Sequence, residues 1–388
     1  MKQLGYLSIV LLMLGWLPAA LPEGSAPVNI AAAQPADMAP RTVTVQTGAG
    51  QDTVDLLAFL PEKVRIRVGD TVTWKMEGDI HTVSFTTGTK PAGLVIPSSQ
   101  AAPGEVIPRV FLPVPGAPQG VNMMNPALVF PTRKADQPLE QHSGTGFVSS
   151  GMMSNATLFP GTPPIQTFSV TFDTPGTFQY VCLLHQEFGM RGTVEVTPVT
   201  AIDVPTQADI DARAQQELAT LKVLLEQAKS QGRQGRSEPG PHNTKLWRVL
   251  AGNSLVDIND GRVQLLEFVP KDVTIQAGDT IIWESRFFHS VTFVPTPPPP
   301  DRFLPERQPD GAVQLIRNPV IFNIARPAGV FDPAQVFNSG TIGTFPGPGI
   351  TYALTFETPG IFKYFCGIHR DQGMEGTIIV QPRQARIP

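Results

Sequence analysis

Cysteine is nearly absent from this chain: Cys182 and Cys366 are the two among 388 residues. A small scaffold stapled by several disulfides is therefore excluded, and one bridge at most is available. Histidine is almost as scarce, with six, which limits how many imidazole-rich metal centres the chain can build. Asp, Glu, Lys and Arg make up only 16% of residues, and the formal net charge is −4. No basic stripe is present to bind nucleic acid, and neither a phosphate loop nor a nucleophile motif stands out. Long apolar runs are missing beyond the N-terminus. There, Lys2 precedes an almost uncharged run over residues 4–21 and then small residues, the pattern of a bacterial-type export signal. Residues 1–33 are thus read as a signal peptide, with an uncleaved membrane anchor as the alternative because the run is just long enough to span. No cysteine follows it for lipid attachment. Either way the rest of the chain is expected outside the cytoplasm, periplasmic or extracellular.

What the chain does have is a repeat. Thr-Phe-Asp-Thr-Pro-Gly-Thr-Phe-Gln-Tyr-Val-Cys182 returns as Thr-Phe-Glu-Thr-Pro-Gly-Ile-Phe-Lys-Tyr-Phe-Cys366, each followed by His (His185, His369) and then Met (Met190, Met374) at the same spacing. Upstream, Ile80-His81-Thr82-Val83-Ser84-Phe85 answers to Phe288-His289-Ser290-Val291-Thr292-Phe293. Further back, Leu56, Leu57, Phe59, Val64, Ile66, Gly69, Asp70 and Trp74 match Leu265, Leu266, Phe268, Val273, Ile275, Gly278, Asp279 and Trp283. The length suits two domains, and the duplication places them at about 40–200 and about 244–385. A hydrophobic share of 41% is enough for two cores.

Each half reads as all-β. Val64, Ile66 and Val68 alternate with Lys63, Arg65 and Arg67, and a Gly69-Asp70 turn leads to Val72 and Trp74 at the same period of two. Phe178, Tyr180 and Cys182 share parity, as do Phe362, Tyr364 and Cys366, so both thiols are expected on the aromatic, core-facing side of their strands. Short strands punctuated by Pro and Gly suggest antiparallel sandwiches. Between the halves, Ile210, Ala214, Leu218, Leu221, Leu225 and Ala228 recur at helical steps, and Thr206 with Asp209 resembles a capping box. A helix over residues 207–230 is expected, its apolar stripe packed on a sandwich face, with a polar tether over residues 230–243. The linker as a whole is residues 201–243.

One thiolate, two imidazoles and a weak thioether make the His2Cys set with a long axial Met that defines a blue-copper electron-transfer site. A disulfide between the two cysteines is the plain alternative, but it does not explain why each sits in the same frame with a His and a Met behind it. Ligand softness and geometry favour copper over zinc. Both halves resemble cupredoxins, and the Cys-x2-His-x4-Met loop is most similar to plastocyanin. The resemblance covers the strands before the first His and the last two strands of each half. It implies two tandem Greek-key β-sandwiches and two type 1 coppers, one held by His81, Cys182, His185 and Met190, the other by His289, Cys366, His369 and Met374. It also implies that the edges of His185 and His369 reach the surface, where a redox protein donor and acceptor would dock.

The departure lies in the middle of each half. His81 precedes Cys182 by 101 residues and His289 precedes Cys366 by 77, more than a compact plastocyanin needs. The extra segments, about 88–165 and 295–350, are rich in Pro and Gly. They read either as covers over a copper site or docking surface, or as an ordered wrap over the sandwich. Met123-Met124 and Met152-Met153 fall in the first, where apolar packing is preferred over Cu(I) binding. Competing functions are an oxidase or nitrite-reductase-like enzyme, and copper storage or delivery. The enzyme needs further clustered histidines, commonly one beside the blue-copper Cys, whereas Cys182 is flanked by Val181 and Leu183, and Cys366 by Phe365 and Gly367. His142 and His242, isolated in polar sequence, are expected to be solvated. The sequence therefore favours an exported electron carrier that is not an enzyme.

Overall fold

In the computed structural model, the described residues are 39–86, 95–97, 122–132, 140–158, 163–231, 236–253, 260–296, 301–307, 313–322, 324–325, 328–343 and 350–383. The N-terminal export segment lies outside them, as do parts of both long insertions. Among the described residues, no helix is long and apolar enough to cross a membrane.

The architecture is two β-sandwiches and a helix. In the first sandwich one sheet runs Val54–Leu60, Thr42–Ala49, Thr71–Met76, Thr167–Phe172, Glu140–His142. The facing sheet runs Val148–Ser149, Ser84–Phe85, Gly176–Val181, Arg191–Thr197, Lys63–Arg67. The second sandwich repeats the plan, with Lys245–Ala251, Asp279–Ser285 and Ile350–Phe356 in one sheet and Asp272–Gln276, Glu375–Gln381 and Gly360–Phe365 in the other. Most ladders are antiparallel, but among the described residues three per sandwich are parallel, for example Thr42–Ala49 with Thr71–Met76 and Lys63–Arg67 with Arg191–Thr197. The chain crosses from one sheet to the other between Val54–Leu60 and Lys63–Arg67, so strands that are not sequence neighbours become partners.

Alternation along each strand buries the expected face. Val64 and Ile66 are buried between more exposed Lys63, Arg65 and Arg67. Trp74 and Trp283 are fully buried at the two core centres, edge-on to Tyr180 (5.0 Å between centroids) and Tyr364 (5.4 Å). Strand Val54–Leu60 is apolar on both faces because both are covered. Leu57 and Phe59 enter the sandwich core, while Leu56, Ala58 and Leu60 meet Ala214, Leu221, Leu225 and Ala228 of the helix Gln207–Gln231. That helix starts with the expected box: Thr206 N–H donates to Asp209 Oδ2 at 2.8 Å and Asp209 N–H returns a bond to Thr206 Oγ1 at 3.3 Å. The tether is more ordered than its composition suggests, since Arg236–Pro239 pairs as an edge strand with Lys245–Ala251.

The two sandwiches dock through repeat-equivalent elements. Strand Val263–Leu265 adds to the edge of Val54–Leu60 with Leu56 opposite Val263, Asp55 opposite Gln264 and Val54 opposite Leu265. Asp55 and Gln264 occupy the same position in the two repeats, so this ladder maps onto itself about an axis between them, as an isologous contact does. Leu57 N–H bonds to Arg262 O and Leu266 N–H to Thr53 O, a pair related by the same axis. The insertions follow this symmetry too. Val95–Pro97 and Asn122–Met124 of the first join Val313–Arg317 and Phe303–Arg307 of the second in one four-stranded sheet. Among the described residues, these strands of the two insertions therefore join the halves in one sheet.

Candidate metal centres

Each centre gathers its side chains from one strand end, one short strand and one loop. Strand Gly176–Val181 delivers Cys182 into the core, and the following turn brings His185 back beside it. A 3-10 turn, Gln186–Phe188, ends on Gly189 in the left-handed region (φ 97°), so the loop can close with Cys182 N–H on Met190 O (3.1 Å) and Met190 N–H on His185 O (3.2 Å). The second copy does the same through Arg370–Gln372 and Gly373, with Cys366 N–H on Met374 O at 2.9 Å. Met190 and Met374 are fully buried.

His81 arrives from Ile80–His81 and is fully buried, as is Cys182. The Nδ1 atoms of His81 and His185 lie 3.1 Å apart, and Cys182 Sγ lies 3.9 Å and 3.5 Å from them. In the second centre the same three distances are 3.1 Å for His289 to His369, and 3.9 Å and 3.6 Å to Cys366 Sγ. A point equidistant from the three corners of either triangle is about 2 Å from each, the length of a transition-metal bond to imidazole or thiolate. Both sets therefore fit an ion in a trigonal arrangement. The sulfurs are oriented by groups that sequence reading passed over: Thr82 and Ser290 N–H each donate to the thiol sulfur at 3.3 Å. Their hydroxyls accept from Leu183 and Gly367 N–H at 2.8 Å. The signal was available, because a hydroxyl residue follows the upstream His in both repeats.

The centres differ in charge. Asp55 Oδ1 is 3.7 Å from His81 Nε2, and both atoms are buried with no hydrogen-bond partner among the described residues. Burial opposes protonation of His81, but Asp55 and then Cys182 outweigh it and raise its pKa to about 10. Burial likewise disfavours the Cys182 thiolate, yet His185 and His81 outweigh it and hold the thiol well below its usual range. In the second centre Gln264 replaces the carboxylate and turns its amide to Gly261 O at 2.7 Å. There burial pushes His289 down to about 3 and the Cys366 thiol up, while burial, His289 and Arg302 hold His369 low.

One expectation is corrected. His142 is not solvated: it is fully buried, with its ring 4.8 Å from Phe85 and 5.2 Å from Phe178. The strand Glu140–His142 pairs with Thr167–Phe172, and the parity of that pairing turns the imidazole into the aromatic core. His242 is exposed, in the turn Pro241–Asn243. His185 and His369 are each partly exposed. Both line one cavity of about 70 Å³ between the sandwiches, together with Asp55, Asp79, Gln264 and Arg302, because the halves dock with their ligand loops facing. Met124 and Met152 are buried in the apolar wall of this region; Met153 is also buried. The side chain of Met123 lies outside the described residues.

A model of the copper-binding proteins of the plastocyanin/azurin family matches residues 149–197 and 254–381. Plastocyanin of Scenedesmus fuscus is 30% identical over 118 residues, which is 30% of this chain and 88% of that protein. The chain belongs to the plastocyanin/azurin family. Chloroplastic plastocyanin of Tetradesmus obliquus is 30% identical over 34% of this chain and 76% of its own, and that of Silene latifolia subsp. alba is 25% identical over 48% and 98%. Among solved structures, an amicyanin mutant in its Cu(I) form is similar at 18% identity, covering 40% of this chain and 82% of its own, with a TM-score of 0.21. This plastocyanin/azurin relative thus carries tandem cupredoxin halves whose two His/Cys/His groups suit two type 1 coppers.

Proposed function

We propose that the chain is an exported, two-domain type 1 copper protein that passes single electrons between redox protein partners. One copper is held by His81, Cys182, His185 and Met190 within residues 40–200, the other by His289, Cys366, His369 and Met374 within residues 244–385. Copper supplies the one-electron couple. The chain's residues supply two trigonal donor sets of nearly equal dimensions, already formed at the ends of β-sandwiches with Cys and the upstream His buried, and that preformed geometry is the observation that carries the reading. A preformed site suits electron exchange, which needs little rearrangement, better than copper delivery, which needs release. An oxidase or nitrite reductase would need a further histidine cluster. Among the described residues, the groups of His, Cys, Asp and Glu able to hold a metal are the two already named, with His142 in the aromatic core and His242 in an exposed turn.

The test is copper stoichiometry with visible and paramagnetic resonance spectra of purified protein, together with oxygen and nitrite consumption assays. Two coppers per chain with intense thiolate-to-copper absorption, fast exchange with small redox reagents and no sustained turnover are expected. A colourless copper-loaded protein, or steady consumption of oxygen or nitrite, would overturn the assignment.

A further inference from the structure

The repeats match at every ligand, so the places where they differ at the docking axis carry information. The most consequential is Asp55 against Gln264. These residues face each other across the ladder that joins the sandwiches, yet only Asp55 brings charge to a ligand: its buried Oδ1 lies 3.7 Å from His81 Nε2. A carboxylate behind a metal-binding imidazole strengthens that imidazole as a donor and adds negative charge near the metal, and both effects favour the more oxidised ion. At the second centre the equivalent position is the neutral Gln264, and the nearby arginine is paired with a carboxylate. Arg302 donates to Ile368 O at 2.6 Å, one residue before His369, and pairs with Asp371 at 2.9 Å.

The two centres meet at one cavity. His185 and His369 line the same cavity of about 70 Å³. Beside it, Phe188 of the first ligand loop packs tilted against Phe287 and edge-on against Phe288, which precede His289, with centroids 5.8 Å and 5.2 Å apart. The symmetry-related contact is polar, Gln372 donating to Asp79 at 2.5 Å. Repeat-equivalent residues thus make an aromatic bridge on one side of the axis and a hydrogen-bonded one on the other.

From this asymmetry we infer that Asp55 makes the two copper sites unequal, so that an electron entering at the first site passes within the chain, across the shared cavity, to the second. In that step the first site goes from Cu(I) to Cu(II) and the second from Cu(II) to Cu(I). One electron moves and no proton or bond is exchanged, and the first site is recharged by an external one-electron reductant. Asp55 is a positioning residue here, acting through His81. The inference rests on the blue-copper reading above.

Single-site proteins make it testable. Cys366→Ser isolates the first site and Cys182→Ser the second, and spectroelectrochemistry of each copper-loaded chain gives its potential. The first site is expected below the second. Asp55→Asn is expected to shift the first site's Cu(I):Cu(II) ratio at least tenfold towards Cu(I), about 59 mV upwards for one electron, and the second site by less than threefold. Asp55→Glu, which keeps the charge, should stay closer to the parent than Asp55→Asn does, and serves as well should the asparagine variant fold poorly. A first site at or above the second, or one that ignores Asp55→Asn, would overturn the inference. In the full chain, pulse reduction with substoichiometric reductant should be followed by first-order redistribution between the two blue absorptions at a rate independent of protein concentration. A rate that grows with concentration would show transfer between molecules and count against it. Failure of the underlying reading looks different, since the single-site proteins would then lack the thiolate-to-copper absorption altogether.

Discussion

Gly48 and Gly252 occupy equivalent positions in the two repeats, and each holds open the space behind an upstream histidine. Both have left-handed backbones, with φ of 73° and 80°. A Cβ at Gly48 would lie 2.3 Å from His81 Nε2, and one at Gly252 would lie 2.5 Å from His289 Nε2, where ordinary contact begins at 3.4 Å. Gly48→Ala therefore requires the imidazole to move by about 1 Å to relieve the overlap. Metal bonds tolerate displacements of only about 0.2 Å. Without metal, the ring has no bond to keep, and the cost is the left-handed alanine, about 1–2 kcal/mol, together with the repacking of the buried ring and the close contact with Gly78 Cα at 3.0 Å. With metal, ring and ion compete for one position, and a loss of 10–100-fold in copper affinity at that site is expected, in the range found when a ligand loses its supporting contacts. The assay is copper titration followed by thiolate absorption, alongside denaturant unfolding of the metal-free chain. Gly48→Ala should weaken the first site and spare the second, and Gly252→Ala the reverse. Full, tight loading of both sites in Gly48→Ala would refute the proposal that His81 ligates through the nitrogen facing Cys182.

Cys182→Ser and Cys366→Ser should each remove about half of the blue absorption per chain, since the colour requires a thiolate; loss of all colour from either one would show a shared site. Met190→Leu and Met374→Leu should keep copper and colour while raising the potential, because the axial bond is long and weak; loss of copper binding measured by titration would make the methionine a primary ligand. His142, whose ring nitrogens are both buried without a hydrogen-bond partner among the described residues, has its pKa lowered by burial. As pH falls through its ordinary value of 6.5, the unfolded chain takes up a proton that the folded chain resists, so stability drops. His142→Phe should remove that part of the drop and stabilise the protein more at pH 5 than at pH 7 in chemical denaturation; equal effects at both pH values would contradict a neutral buried imidazole.

The two His/Cys/His groups were legible in sequence because a metal site demands particular atoms at particular spacings, and duplication printed the pattern twice. Period-two alternation around Val64 and Ile66, and the shared parity of Tyr180 with Cys182, gave the strands and the direction of the thiol, since those depend only on local backbone geometry. The helix was equally local: a capping box and a stripe from Ile210 to Ala228. Tertiary structure alone decided how the halves meet. Nothing in the sequence near Asp55 announces that it will face Gln264 across a ladder or approach His81, because strand edges pair through backbone groups that every residue carries. The burial of His142 followed from the pairing of Glu140–His142 with a distant strand, which polar neighbours in sequence concealed. Placement of His185 and His369 on one cavity likewise depended on the docking of two surfaces each already folded. Ligand identity is a property of single residues and survives in the one-dimensional pattern, whereas the relation between the two centres arises from contacts between residues far apart in the chain.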